Sequence, residues 1–237
     1  MNPPNDNYSA CHGLWREHPV LVQLLGLSPL LAVTTTLANA LGLGLVTLTV
    51  LLGSSVSCSL LRRQLNGTLH LPMLLLIIAA WVTCAELLVR AYAYPLAQAL
   101  GIFVPLIASN CVVLSRAQTI ATRHPIGTAA LDATIIGNGF LALLLIVGAI
   151  RELFGRGSLF ADMHLIFGDI ARDWLWQPFD GDYTLLILSM PAGAFLLLGF
   201  LIALRNFLDS WLLPSSESPP EKPIAGSKRV RTPGKIN

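Results

Sequence analysis

The sequence predicts an all-α polytopic membrane protein: six transmembrane helices as an inverted three-plus-three repeat, with helices 1 and 4 broken at Pro29 and Pro105. Three observations predict it. Only 12% of the residues are charged while 54% are hydrophobic, whereas a soluble domain carries roughly 25% charged residues. So few charges cannot cover a water-facing surface, and lipid is the solvent that fits. The apolar residues also gather in runs of membrane-crossing length, the longest being the 43 residues from Pro19 to Leu61 without Asp, Glu, Lys, Arg or His. Finally, two of these runs share an unusual interior. "GLSPLLAVT" at 26–34 and "GIFVPLIASNC" at 101–111 place PLLAVT over PLIASN when Pro29 is aligned with Pro105.

Taken in order, residues 1–18 are polar and form an expected cytoplasmic tail. No short apolar region with a small-residue cleavage site follows them, which argues against a signal peptide. Residues 19–212 form the membrane domain. A helix crosses the bilayer core with about 20 apolar residues, and six segments approach that length: Pro19 to about Thr36, Asn39–Leu61, Leu69–Val89, Ala91–Leu114, Ala133–Ile150 and Tyr183–Leu204. The third is apolar except for His70 and Glu86, and Glu86 is spaced to pair with Arg90 one turn later. Asp132 reads as the start of the fifth helix, and Gly137 and Gly139 allow close helix contact. Pro191 reads as a kink in the sixth. Residues 213–237 are rich in Pro, Ser and charge, the composition of a disordered tail.

Six spans put both termini on one side. Placing that side in the cytoplasm puts eleven Lys/Arg inside and leaves four outside: Arg90, Arg151, Arg156 and Arg172. This obeys the positive-inside rule. The one long loop, 151–182, then lies outside. Its Met163, Ile166, Phe167, Ile170 and Trp174 recur at helical spacing, as in a helix lying in the interface or one packed on the bundle. The net charge of +2 gives no nucleic-acid footprint.

Proline in a helix interior removes a hydrogen bond and clashes with the preceding turn. In lipid the freed backbone groups need partners within the protein. Matching interruptions in the first span of each half, 19–89 and 91–204, point to a functional centre near the midplane. Two unrelated kinks are the plainer alternative. Of Cys11, Cys58, Cys84 and Cys111, only Cys111 stands at an interruption, where a thiolate is a soft metal ligand. A cysteine in an apolar helix is otherwise a small buried residue. No two cysteines form a C-x-x-C pair, and no Walker, flavin-attachment or hydrolytic motif occurs, so the chain carries no catalytic residues of its own.

The segments "GLWREHPVLVQLLGLSPLLAVT", "NALGLGL", "AYAYPLAQALGIFVPLIASNCVVLSRA", "ALDATIIGNGF" and "RELFGRGSLF" resemble the E-type membrane subunits of Rnf electron-transport complexes and the related D-type subunits of sodium-pumping NADH:quinone reductase, from about Gly13 to Leu212. The resemblance implies six spans with inverted halves in a bacterial inner membrane. It implies a homologous A-type partner of opposite topology, with further B, C, D and G subunits. It also implies a [2Fe–2S] cluster shared between the A and E types, two cysteines from each, in a complex coupling ferredoxin–NAD electron transfer to sodium-ion or proton transport. Flavin and NAD are expected on other subunits. Residue by residue, Cys111 matches one family ligand, while Ser28 occupies the position of the other family cysteine. Serine oxygen is harder than sulfur and normally protonated. Three outcomes follow: Ser28 ligates as an alkoxide, a ligand from elsewhere completes the site, or the cluster is lost. The readings are thus an electron-relay subunit, a structural subunit with a degenerate site, and, on the inverted repeat alone, a secondary transporter.

Overall fold

The computed structural model describes residues 26–62, 69–168, 176, 188 and 190–212. The N-terminal tail, Cys11, the first part of the first predicted span, Ile170, Trp174 and the tail after Leu212 lie outside them. The described residues are helical: α1 (Leu27–Val33), α2 (Leu37–Leu61), α3 (His70–Tyr92), α4 (Tyr94–Leu100), two 3-10 turns (Gly101–Phe103 and Pro105–Ser109), α5 (Cys111–Arg116) widening into a π turn (Ala117–Ala121), α6 (Ile126–Arg156), the short α7 (His164–Phe167) and α8 (Pro191–Leu212). Four of these are long and apolar enough to cross a membrane: α2, α3, α6 and the Pro191–Leu208 part of α8. The chain divides into two units, Met1–Gly199 and Phe200–Asn237. Of the second, the structure describes only the latter half of α8.

The centre of the first unit is the antiparallel pair α2–α6. Glu152 meets Leu37 at one end, and the Ser59 hydroxyl donates to the His124 carbonyl beyond the other, at 2.9 Å. Between these ends glycines bring the helices together. A Cβ on Gly148 would lie 2.8 Å from that of Ala40, and one on Gly137 would lie 3.2 Å from Leu48. Small residues are the usual means of close approach where lipid, as apolar as the helices, supplies no hydrophobic drive. Helix α3 packs on α2 through Trp81, which covers Gly53 and donates to Ser57 Oγ at 2.8 Å. Its Leu71, Leu75, Leu76, Leu87 and Leu88 are exposed, as lipid-facing residues are.

Several expectations change. Helix α6 starts at Ile126, so Asp132 lies in its second turn and does not begin the helix. There it accepts from Arg116 at 3.4 Å, both side chains being mostly buried. Pro191 begins α8, where a missing N–H costs nothing, after a bend at Met190. The 151–182 segment packs on the bundle in its described part. Met163, 4% exposed, sits against Leu37 and Ala38, and Leu159 and Trp176 exchange backbone hydrogen bonds. Glu86 and Arg90 do pair, at 2.5 Å on an exposed face.

Candidate functional site at two helix interruptions

A glycine with positive φ stands before the proline in each segment. Gly26 has φ 74° and Gly101 φ 47°, in the left-handed region that only glycine enters freely. Pro29 lies in the first turn of α1, where no intrahelical bond depends on its nitrogen. It therefore does not break its helix; the helix starts just before it. Pro105 opens the second 3-10 turn inside the interruption itself. The chain regains α-helical geometry only after Asn110, whose extended backbone and side chain cap α5: Oδ1 accepts from Val112 N at 3.0 Å. The two prolines therefore align in sequence without playing the same structural part.

The interruptions meet. A Cβ on Gly26 would stand 2.9 Å from Val112 Cγ2, 3.2 Å from Asn110 Oδ1 and 3.2 Å from the Phe140 ring. Phe140 is midway along the 31 residues of α6, so the junction is at mid-depth of the bundle. Two half-helices start from it. Ser28 is the second residue of α1 and Cys111 the first of α5, and both are exposed. Between them Asn110 is 4% exposed, and its Nδ2 is buried without a partner among the described residues. A buried amide donor left open is costly and marks a place where an acceptor fits.

The other two described cysteines are elsewhere. Cys58 is buried in α2 and Cys84 exposed on α3, neither on the elements that form the junction. Among the described residues, no three His, Cys, Asp or Glu side chains converge. Among the described residues, the junction offers one exposed thiol, one exposed hydroxyl and one buried amide donor. A thiol is a soft donor and a hydroxyl a hard one, and these two side chains alone do not complete a metal site.

A second arrangement was missed from sequence, where Arg151 and Glu152 count as outer-loop charges. Both are helical and buried, at 1% and 0% exposure. Glu152 Oε2 accepts from Leu37 N at 2.6 Å, satisfying an unpaired N–H at the start of α2, and Oε1 accepts from Ala161 N at 2.8 Å. Arg151 Nη1 donates to Leu31 O at 3.2 Å and Thr34 Oγ1 at 3.0 Å, Nε to Leu188 O at 3.1 Å and Nη2 to Met190 O at 3.3 Å. These carbonyls are open because α1 ends at Val33 and the bend at Met190 precedes α8. The sequence signal was periodic: Leu144, Gly148, Arg151 and Gly155 continue one buried face of α6, so the pair belongs to the helix's inner stripe.

The family model for "Rnf-Nqr subunit, membrane protein" matches residues 8–202. A protein of Cellvibrio japonicus, named as the E-type component of an ion-translocating oxidoreductase complex, is 48% identical over 226 residues, covering 95% of each chain. The protein of that name from a Pseudomonas aeruginosa strain is 46% identical over 228 residues, 96% of each chain. That of Shewanella loihica is 49% identical over 206 residues, 86% of this chain and 88% of its own.

Proposed function

The chain belongs to the Rnf-Nqr family of membrane subunits, and we propose that it is the E-type component of an ion-translocating ferredoxin:NAD oxidoreductase complex. In this role it relays electrons at a [2Fe–2S] cluster shared with a homologous A-type partner of opposite topology. The relay is coupled to movement of sodium ions or protons, with the B, C, D and G subunits completing the complex. The observation that carries the reading is the mid-depth junction at which Ser28 and Cys111, the two positions matching family ligands, begin half-helices and face outward. Six spans as inverted halves, with both termini cytoplasmic in a bacterial inner membrane, are part of the same proposal. The four long apolar helices and the interrupted α4–α5 segment support it.

Each residue has a separate part. Cys111 supplies a thiolate, and Ser28 an oxygen that must lose or share its proton to bind iron. Gly26 lets the half-helices approach, and Asn110 holds a buried N–H for an electron-rich acceptor. A [2Fe–2S] cluster held by these residues would supply one-electron chemistry. Oxygen is harder than sulfur and favours the ferric state, so a Ser28 ligand would lower the potential relative to a site with four thiolates.

Low-temperature EPR with iron and sulfide analysis on the chain copurified with its A-type partner tests this. A dithionite-reduced [2Fe–2S] signal is expected in wild type, lost in Cys111→Ala and shifted or lost in Ser28→Ala. An intact pair without iron overturns the relay. The substitution of serine for the family cysteine then favours the second reading, a structural role in which Cys111→Ala leaves electron transfer by the complex intact.

A further inference from the structure

We propose that Arg151 and Glu152 are positioning residues for the Ser28 half-site, fixing α1 from the opposite end to the glycine junction. Helix α1 has seven residues, too few to hold its own geometry, since short isolated helices are marginal. Its first turn is set by Gly26 against Val112, Asn110 and Phe140. Its last turn is set by Arg151, which takes the Leu31 carbonyl and the Thr34 hydroxyl with one nitrogen. Thr34 in turn donates to Leu30 O. Glu152 holds the next helix in place through Leu37 N, and its other oxygen holds Ala161 N. Ser28 therefore sits between two anchored points, and its placement relative to Cys111 depends on both.

The same guanidinium reaches Leu188 O and Met190 O. The approach to α8 is thereby tied to α1 through one side chain. Arg and Lys are not equivalent here. A planar fork serves several acceptors at fixed angles, whereas an ammonium serves them as a point charge.

The importance of Ser28 placement rests on the shared-cluster reading, but the placement itself can be measured without iron. The full chain is placed in lipid nanodiscs with Cys11, Cys58 and Cys84 replaced by serine. Spin labels go on Cys111 and on a Ser28→Cys substitution, and pulsed EPR gives the distance distribution between them. A single narrow distribution is expected with Arg151 and Glu152 present. Thr34→Val, close in shape to threonine, should broaden it; Glu152→Gln should broaden it further. Arg151→Gln should add a second population, and Arg151→Lys should lie between. Unchanged distributions in Thr34→Val and Arg151→Lys, the variants least prone to misfold, overturn the proposal. A narrow distribution that broadens as described, in a protein whose complex holds no cluster, would retain the positioning role and remove the relay. In a complex that does hold one, Arg151→Lys should shift the EPR signal of the reduced cluster, which a merely structural role would leave unmoved.

Discussion

At the scale of single residues, the junction depends on atoms that are not there. Gly26 has φ 74° and no room for a Cβ, which would meet Val112 at 2.9 Å. Gly26→Ala combines a left-handed backbone with this clash, at a cost of about 1–3 kcal/mol. It should lower the unfolding temperature and also disturb the EPR signal of the copurified pair. The buried Cys58, 0% exposed, provides the stability readout: with exposed thiols blocked first, its alkylation on heating reports unfolding. Gly101→Ala tests backbone strain alone, because nothing lies within 4 Å of a Cβ there, and it should be the milder change. Ser28→Cys restores the softer ligand and should raise the midpoint potential of the cluster, read by redox titration of the EPR signal. A potential unmoved by this substitution would mean that position 28 does not touch the iron.

At the scale of elements, α2 and α6 approach through glycines, but the glycines are not equal. A Cβ on Gly44 would overlap Leu141 Cδ1, the far end of a flexible side chain that can turn away. A Cβ on Gly148 meets the Ala40 Cβ at 2.8 Å and the Thr36 carbonyl at 3.4 Å, and neither can rotate aside. Gly148→Ala should therefore cost more than Gly44→Ala, by about 1–3 kcal/mol as overpacking does. Equal shifts in the Cys58 alkylation temperature would show that the helices slide freely against each other. Asn110→Ala removes the cap of α5, an effect of about 1 kcal/mol, together with the buried donor that has no partner among the described residues. It should change the cluster signal more than its modest stability cost suggests.

At the scale of the whole molecule, orientation decides which side the interruptions face. Both termini inside, as the charge distribution of the full sequence indicates, predicts that a reporter fused after Asn237 and active only in the cytoplasm is active. The same geometry predicts that the segment around Phe160, near Glu152 and Arg156, is reached by impermeant labels only from the outer face. An inactive C-terminal reporter would reverse the topology and with it the side to which Arg151 ties α1.

The sequence by itself determined the membrane class, the apolar segments in which the four long described helices lie, the Glu86–Arg90 pair, the family and the two segments that carry the candidate ligands. Composition, apolar run length and i,i+4 spacing are local properties, written into consecutive residues and needing no partner to be read. Tertiary structure alone decided where the helices stop and what those stops face. Pro29 looks like a helix breaker in sequence, yet it opens a helix because the left-handed turn at Gly26 comes first. Arg151 and Glu152 look like loop charges, yet they are buried because α6 runs on to Arg156 and presents them to backbone groups more than a hundred positions earlier in the chain, at Leu31 and Leu37. A charge survives burial only when partners are brought to it. Apart from Ala161 N, nine positions beyond Glu152, those partners come from distant segments whose ends meet in space, and no short window along the chain contains them.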